Sequence, residues 1–128
     1  VGWAVSKTLD RNLAIAALRN AVENRHPKER LVIHTDRGCQ YTSWDFRREA
    51  ASIGAIQSMS RPGTPYDNAC AETFFKALKV ECIDRNHFKT RTEAADAIAE
   101  YLLFYNRRRI HQALGYLSPA DFERLFAA

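Results

Sequence analysis

The fold is indicated first by the stretch His34-Thr35-Asp36-Arg37-Gly38-Cys39-Gln40-Tyr41-Thr42-Ser43. The apolar run Leu31-Val32-Ile33 leads into it, which predicts a buried strand that ends in an acidic residue. A Gly-containing loop follows, and Thr42 or Ser43 can cap the next helix. Because ligands and catalytic groups gather where the strands of open α/β sheets end, Asp36 is the first candidate for chemistry.

Strand and helix patterns alternate on both sides of this stretch. Residues 1–6 have the apolar, Trp- and Val-containing composition of a strand, and Asp10 can cap a helix from residue 11 to about residue 24. Residues 55–60 predict a further strand after the helix that ends at Gly54. The alternation indicates an α/β fold with about three strands and flanking helices.

The second half of the chain has helical patterns. Residues 61–66 form a loop rich in Pro and Gly, after which Asp67 or Asn68 can cap a helix that runs to about residue 82. Further helices are predicted over residues 92–107 and after Ser118, which precedes a proline. We therefore expect a single domain with an α/β core over residues 1–84 and a helical C-terminal extension over residues 85–128.

Composition limits the class of protein. The 128 residues carry a net charge of +4 with a pI of about 9.2, which permits a nucleic-acid partner without proving one. No apolar run approaches the roughly eighteen residues that span a bilayer, so we expect no membrane partner. The three cysteines lack CxxC spacing, which argues against a disulfide framework and favours a reducing cytoplasm.

Two carboxylates have a spacing that suggests chemistry. Thirty-five residues lie between Asp36 and Glu72, and a strand-end Asp can converge with a helix-borne Glu if that helix packs across the sheet. Convergent carboxylates offer Mg²⁺ the hard oxygen ligands it prefers, and paired ions can act on a phosphodiester. Taken singly, each residue has a simpler explanation: Asp36 caps a turn, and Glu72 is a solvated helix residue.

Basic residues give a second indication. Lys76 and Lys79 follow Glu72 on the same helix face, as expected for a phosphate-binding surface or for a routine Glu–Lys surface pair. The run Arg107-Arg108-Arg109 either binds phosphate or is a solvated basic helix end that favours the helix dipole. The residues alone leave both alternatives open.

Several ordered motifs together resemble the integrase catalytic core of insertion-sequence transposases, which belong to the DDE recombinases and share a ribonuclease-H-like fold with retroviral integrases. The separation of 35 residues between Asp36 and Glu72 matches the spacing that marks this group. The resemblance is carried by the motifs His34-Thr35-Asp36-Arg37-Gly38, Tyr41-Thr42-Ser43, Ser58-Met59-Ser60-Arg61-Pro62-Gly63, Asp67-Asn68-Ala69, Phe104-Tyr105-Asn106-Arg107-Arg108-Arg109-Ile110-His111, Leu114-Gly115-Tyr116 and Ser118-Pro119.

The resemblance implies roles for particular residues. Asp36 and Glu72 are the second and third metal-binding acidic residues, with Mg²⁺ or Mn²⁺ as the cofactor. Asn68 lies by the start of the catalytic helix, and Lys76 and Lys79 match positions that contact DNA. The implied activity is phosphodiester cleavage and strand transfer. The implied partners are transposon ends, target DNA and further copies of the chain, in the nucleoid of the bacterial cytoplasm. No chemistry is implied for the tail motif, residues 104–111.

The sequence also departs from the pattern. The family's first Asp belongs on the first strand, whereas residues 1–6 resemble the third, and Asp10 sits after that strand as a helix cap. We therefore expect a ribonuclease-H-like core that lacks its first two strands and its first catalytic Asp, and that is severely impaired in strand transfer on its own. Residues 1–6 would then be an exposed edge strand, which predicts self-association.

Two competing classes remain open. The first is a catalytically inactive remnant that acts only as a DNA-binding or oligomerisation module, for which a steep salt dependence of binding without metal-dependent cutting would be evidence. The second is a nuclease of the same fold that hydrolyses DNA without joining it. Strand-transfer products from a pre-cut DNA end would exclude this second class.

Overall fold

A computed structural model describes residues 2–27 and 31–126 of the chain. The chain divides into two units, Val1–Ala71 and Glu72–Ala128. The first unit contains the sheet, and the second is helical. The predicted division at residue 84 into a core and an extension stays a prediction.

The sheet of the first unit has two parallel strands, β1 (Val32–Thr35) and β2 (Ile56–Met59). In their register Val32 lies opposite Ile56 and Thr35 opposite Met59. Parallel neighbours need a crossover connection, and the helices α2 (Cys39–Thr42) and α3 (Trp44–Ser52) provide it. The strands predicted around residues 31–35 and 55–60 are therefore formed, with slightly shorter bounds. The first was predicted to be buried, and this is wrong, because Val32 and His34 of β1 are exposed.

Helices α1 (Arg11–Arg25) and α3 cover one side of this sheet with a small apolar core. Leu18, Phe46 and Ala50 are its buried members. Partly buried apolar side chains pack around them: Ala14, Ile15, Val22, Ile33, Tyr41, Ile53 and Ala55. Phe46 is the largest fully buried side chain, so burial of this ring contributes a large part of the apolar area that holds α3 on the sheet.

The helix caps of the first unit follow the sequence. Asp10 Oδ1 accepts from the main-chain N–H groups of Asn12 and Leu13, as expected for the residue before α1. Ser43 Oγ accepts from Phe46 N at 3.3 Å, so Ser43 rather than Thr42 caps α3. Gly54 adopts a φ of 67° just after α3, a conformation that side chains disfavour.

The strand predicted over residues 1–6 is not formed within the described residues 2–6, and Val1 lies outside them. These residues lie against α1 instead. Asn20 Nδ2 donates to Trp3 O at 2.9 Å, and a Cβ added to Gly2 would meet the backbone of Ala17 and Ala21. A strand needs a neighbouring strand to receive its main-chain hydrogen bonds, and this segment has a helix there. The described residues thus contain two strands, and the edge strand expected to cause self-association is not formed.

The catalytic helix predicted from residue 67 to residue 82 consists of three segments. A 3₁₀-helix (Pro65–Asn68) precedes α4 (Ala69–Leu78), which continues as a π-helical turn (Lys79–Ile83). The predicted capping by Asp67 is wrong, because Asp67 Oδ2 accepts from the main-chain N–H of Arg61 at 3.0 Å. The carboxylate therefore closes the preceding loop.

The second unit is built on α5 (Arg91–Arg107), which packs against the π-helical turn and against α6 (Pro119–Phe126). Ser118 caps α6, as the sequence predicts, and Thr90 caps α5, which begins one residue before its predicted start. A short 3₁₀-helix (Gln112–Leu114) connects them. None of the helices in the described part of the chain is both long and apolar enough to cross a membrane.

Candidate active site

Asp36, the carboxylate predicted at the end of a strand, directly follows β1. Its side chain is half-buried, and Oδ1 accepts from Gly38 N at 2.8 Å, an Asx turn that fixes the carboxylate on the loop. Oδ2 has no hydrogen-bond partner among the described residues. The turn therefore orients Asp36 and leaves one oxygen for a ligand.

Ser60 forms hydrogen bonds to the residues on either side of Asp36, to the main chain of Thr35 and to the side chain of Arg37. Its N–H donates to the carbonyl oxygen of Thr35 at 2.9 Å, and its own carbonyl oxygen accepts from Arg37 Nε at 2.9 Å. Ser60 and Thr35 are both buried, so the bond between them lies largely out of water, whereas Arg37 is exposed. The residue before Asp36 and the residue after it are thus both tied to the end of β2.

His34 joins the same network from β1. Its Nδ1 lies 3.0 Å from Ser58 Oγ, and its Nε2 lies 3.1 Å from Ser60 Oγ. Ser60 Oγ also donates to Thr35 O at 3.4 Å, so the hydroxyl is free to accept from His34 Nε2. The imidazole thus connects the two strands through hydrogen bonds to both serines.

The negative charge of Asp36 acts on a neighbouring ring. Burial, and then the Asp36 carboxylate, raise the pKa of the Tyr41 hydroxyl, because both disfavour the phenolate. Tyr41 also packs edge-on against Phe46, with ring centroids 5.3 Å apart. Tyr41 therefore stays neutral at physiological pH and connects the Asp36 loop to the core.

The Pro/Gly loop after β2 is closed by Arg61 and Asp67. The Arg61 side chain pairs with Asp67 Oδ2 at 3.3 Å, in addition to the main-chain bond. The hydrogen bonds from Arg61 are the main cause that lowers the pKa of Asp67, and the nearby His34 adds to this effect. Asp67 is therefore an ionised structural residue of the loop. Asn68, predicted to lie by the helix start, is half-buried at the end of the 3₁₀-helix.

Glu72 lies in the first turn of α4, exposed and without an ion pair or hydrogen bond to another described residue. Lys76, one turn further on, is also exposed and has no partner among the described residues. The surface ion pair between Glu72 and Lys76 is therefore not formed. Lys79 is paired with Asp84 at 3.2 Å in an exposed contact. Glu72 is therefore free to bind a ligand.

The three consecutive arginines at the end of α5 differ in their environments. Arg107 and Arg108 are exposed, whereas Arg109 donates to the carboxylate of Glu81 through Nε and Nη2, the latter at 2.7 Å. Tyr101 donates to the same carboxylate at 2.8 Å. Phosphate binding by these arginines stays a prediction, and the Arg109 guanidinium already has an acidic partner.

Sequence reasoning did not identify Ser60, His34 or Glu81 as site residues. Both Ser60 and His34 lie within motifs that carry the family resemblance, so their position in those motifs was the available signal. No sequence motif marks Glu81. Its partner Arg109 is 28 residues away, and their contact depends on how the helices pack. The sequence predicted the acidic residues but not the network around them.

Asp36 and Glu72 each present a carboxylate oxygen that has no partner among the described residues, and carboxylate oxygens are ligands that Mg²⁺ and Mn²⁺ prefer. Asp36 belongs to the first unit and Glu72 to the second. Among residues 2–27 and 31–126, no group of three or more His, Cys, Asp and Glu side chains is arranged to hold a metal ion.

Comparison with protein families identifies the chain. Two models described as integrase core domain match it, one over residues 1–65 and the other over residues 54–119. Each covers about half of the chain, and together they extend from residue 1 to residue 119. The chain belongs to the integrase core domain family.

Curated relatives are transposases of insertion sequences. The transposase for insertion sequence element IS904 of Lactococcus lactis subsp. lactis is 44% identical over 125 residues, which is 97% of this chain and 49% of the relative. Transposase InsF for insertion sequence IS3A of Escherichia coli K12 is 41% identical over 124 residues, 96% of this chain and 43% of the relative. The chain thus spans about half the length of the curated relatives it matches.

Solved structures confirm the fold. The catalytic core domain of BIV integrase matches 92% of this chain and 73% of its own, with a TM-score of 0.69 and 17% identity. A chain of the simian T-cell lymphotropic virus intasome, solved with PP2A regulatory subunit B56 gamma, matches 83% of this chain and 37% of its own, with a TM-score of 0.67 and 20% identity. The ribonuclease-H-like α/β fold is therefore shown.

Proposed function

We propose that this chain supplies the catalytic core of a bacterial insertion-sequence transposase, which cuts and joins DNA at phosphodiester bonds in a metal-dependent reaction. The observation that carries the proposal is its membership of the integrase core domain family with Asp36 directly after β1. The 35 residues between Asp36 and Glu72 support it, as does the similarity to insertion-sequence transposases.

Asp36 and Glu72 are the residues proposed to hold Mg²⁺ or Mn²⁺. When bound, such an ion supplies Lewis-acid chemistry at the scissile phosphate. The protein would hold one ligand in a fixed orientation, because the Asx turn orients the Asp36 carboxylate and Ser60 binds the Thr35 carbonyl oxygen and the Arg37 side chain. The exposed position of Glu72 keeps its carboxylate accessible to DNA and metal.

DNA would be bound through the basic surface of the second unit. Lys76, Arg107 and Arg108 are exposed and suited to phosphate contacts, while Lys79 would exchange its exposed partner Asp84 for phosphate. Asn68 is a further proposed DNA-binding residue, whereas Arg109, also predicted to bind phosphate, has its guanidinium bound by Glu81. The proposed partners are the ends of the mobile element, its target DNA and further copies of the protein. These partners would place the protein on the nucleoid of the bacterial cytoplasm.

The experiment is a cleavage and strand-transfer assay with the natural gene product that contains this chain. The substrate is a labelled duplex that carries the terminal sequence next to the gene, with supercoiled plasmid as target, in Mg²⁺ or Mn²⁺. Asp36→Asn and Glu72→Gln should each lower the rate by about a thousandfold, the equivalent of several kcal/mol of transition-state stabilisation. Asp96→Asn and Glu100→Gln, at exposed positions of α5, are the matched controls and should stay near the parent rate.

The outcomes separate the candidate functions. DNA binding with no cutting in either metal would favour the inactive module that acts through binding alone. Cutting without joined products from a pre-cut end would favour a nuclease. Joining that depends on both Asp36 and Glu72 is the result expected for a transposase core.

A further inference from the structure

The tail motif, residues 104–111, has no catalytic role in the proposed function. Several of its side chains nevertheless form contacts with the rest of the second unit. Arg109 binds the carboxylate of Glu81 with Nη2 at 2.7 Å from Oε1 and Nε at 3.1 Å from Oε2. Tyr101 OH donates to Oε2 of the same carboxylate at 2.8 Å. Each partner of the ion pair has a side chain only 30% exposed. A bidentate, partly buried pair with a third donor is stronger than an ordinary surface ion pair.

Glu81 belongs to the helix that carries Glu72. Helix α4 runs without interruption into the π-helical turn, and Glu81 lies in that turn. Glu81 lies nine positions after Glu72, about 13 Å along a helix at 1.5 Å per residue. π-helical turns shift the side chains that follow them, and they often occur at functional sites. The Arg109 contact therefore fixes the far end of the helix on which Glu72 sits.

A second contact fixes the same helix close to Glu72. Phe74, two residues after Glu72, packs edge-on against Tyr105 with ring centroids 5.0 Å apart. The Tyr105 ring also contacts His111 at 4.8 Å, and the Arg109 guanidinium lies over it at 5.4 Å. Tyr105 thus connects Phe74 on α4 to two further residues of the tail motif.

These contacts explain why Arg109 differs from its neighbours. Arg107 and Arg108 extend into solvent, while Arg109 is surrounded by Glu81, Tyr101 and Tyr105. The Arg109 hydrogen bonds are the main cause that lowers the pKa of Glu81, so the carboxylate is ionised and the pair persists across physiological pH. A phosphate contact through Arg109 would leave this carboxylate without its cationic partner.

We propose that Glu81, Tyr101, Tyr105 and Arg109 form a tail clamp that positions Glu72 by holding its helix on α5 at two points. Arg109 is then a positioning residue, and its role is to limit the motion of the metal-binding carboxylate. The role assigned to Glu72 rests on the proposed function. The attachment of the helix itself rests on the contacts alone.

The first measurement is hydrogen–deuterium exchange of the metal-free full chain. Arg109→Ala and Glu81→Gln should each raise the exchange rate of amides in residues 72–83 by about tenfold, because about 1.4 kcal/mol of local opening free energy is lost. Amides of α1 should exchange as in the parent. Arg107→Ala removes a neighbouring exposed arginine and is the matched control, which should leave residues 72–83 unchanged.

The second measurement distinguishes positioning from stability. In the natural gene product, Arg109→Ala should raise the Mg²⁺ concentration for half-maximal DNA cutting several-fold, more than it lowers the rate at saturating Mg²⁺. The double variant with Glu81→Gln should be no worse than the more impaired single variant, because both changes break one contact. If Arg109→Ala fails to fold, Tyr101→Phe removes only one hydrogen bond and should give a smaller effect in the same direction.

The outcomes are distinct. Unchanged exchange over residues 72–83, or an unchanged Mg²⁺ requirement in a variant of an active parent, overturns the tail clamp. A parent gene product that shows no metal-dependent cutting overturns the proposed function instead. Local exchange that rises together with the Mg²⁺ requirement supports the proposal.

Discussion

Ser60 donates its main-chain N–H to the carbonyl oxygen of Thr35 over 2.9 Å, which joins the end of β2 to the residue directly before Asp36. Through its own carbonyl oxygen Ser60 also receives Arg37 Nε, directly after Asp36. Asp36 therefore lies between two residues that are tied to one buried serine. Four predictions follow from this arrangement and from the tail motif.

Replacing Ser60 by Ala should lower the free energy of unfolding by about 1 to 2 kcal/mol, because the buried hydroxyl that partners His34 is lost. The two hydrogen bonds made by the main chain of residue 60, to the Thr35 carbonyl oxygen and from the Arg37 side chain, remain possible in this variant. Urea unfolding of the chain measures the change. Ser52→Ala, which removes an exposed hydroxyl, should stay within about 0.5 kcal/mol of the parent. Equal losses in the two variants would contradict a special role for Ser60.

Mg²⁺ should stabilise the chain through Asp36. A ligand present at a hundred times its dissociation constant adds about 2.7 kcal/mol to the free energy of unfolding. Asp36→Asn should abolish the rise in Tm that Mg²⁺ produces, because the carboxylate charge is lost. Differential scanning calorimetry with and without the ion measures it, and Asp96→Asn should keep the full rise. A rise that survives Asp36→Asn would place the metal elsewhere.

The stability of the chain should fall between neutral and mildly acidic pH because of His111. Burial first, and then the charge of Arg109, lower the pKa of His111, and they outweigh the opposing effects of Glu81 and the Tyr105 backbone. Nε2 of His111 is also buried and has no hydrogen-bond partner among residues 2–27 and 31–126. The unfolded chain, with a His pKa of about 6.5, then binds more protons than the folded chain, so stability is lost as the pH falls below that value.

Unfolding in urea at pH 7.5 and pH 5.5 tests this dependence. His111→Phe keeps an aromatic ring beside Tyr105 and removes the titration, so its stability should change less over the same range. The paired carboxylates with lowered pKa, such as Glu81, lose their contribution at more acidic pH and do not account for a loss in this window. An identical pH dependence in His111→Phe and the parent would rule out His111 as the cause.

The three arginines at the end of α5 should differ in DNA binding. Arg107→Ala and Arg108→Ala should each reduce the slope of log affinity against log salt by about one, as expected when a phosphate contact is lost. Arg109→Ala should leave that slope unchanged, because its guanidinium is engaged by Glu81. Fluorescence anisotropy of a labelled duplex across a salt series measures the slopes. Arg91→Ala, on the exposed first turn of α5, is the control.

Local patterns in the sequence predicted most of the helices. Asp10, Ser43, Thr90 and Ser118 cap the helices that follow them, since a polar side chain before an apolar-periodic segment satisfies free N–H groups wherever the helix later packs. The two strands around the Asp36 loop were also predicted correctly. These features depend on neighbouring residues, which is why sequence reasoning could reach them.

Other structural features depended on contacts that the local sequence pattern does not reveal. Residues 2–6 have the composition of a strand, yet they contact α1, because composition does not supply a neighbouring strand. The helix after the Pro/Gly loop shows a conflict of shorter range. Asp67 or Asn68 was expected to cap it, but the Asp67 carboxylate accepts from the N–H of Arg61, six residues earlier.

The candidate site shows the same division. The sequence by itself predicted which groups could do chemistry, Asp36 at a strand end and Glu72 on a helix, and it determined the 35 residues between them. Only the tertiary structure decided which residues contact these groups. Ser60 binds the neighbours of Asp36, and Arg109 binds the helix that carries Glu72. Bonds such as Ser60 to Thr35 and Arg109 to Glu81 join residues 25 and 28 positions apart, and such pairs meet only when the strands align and the helices pack.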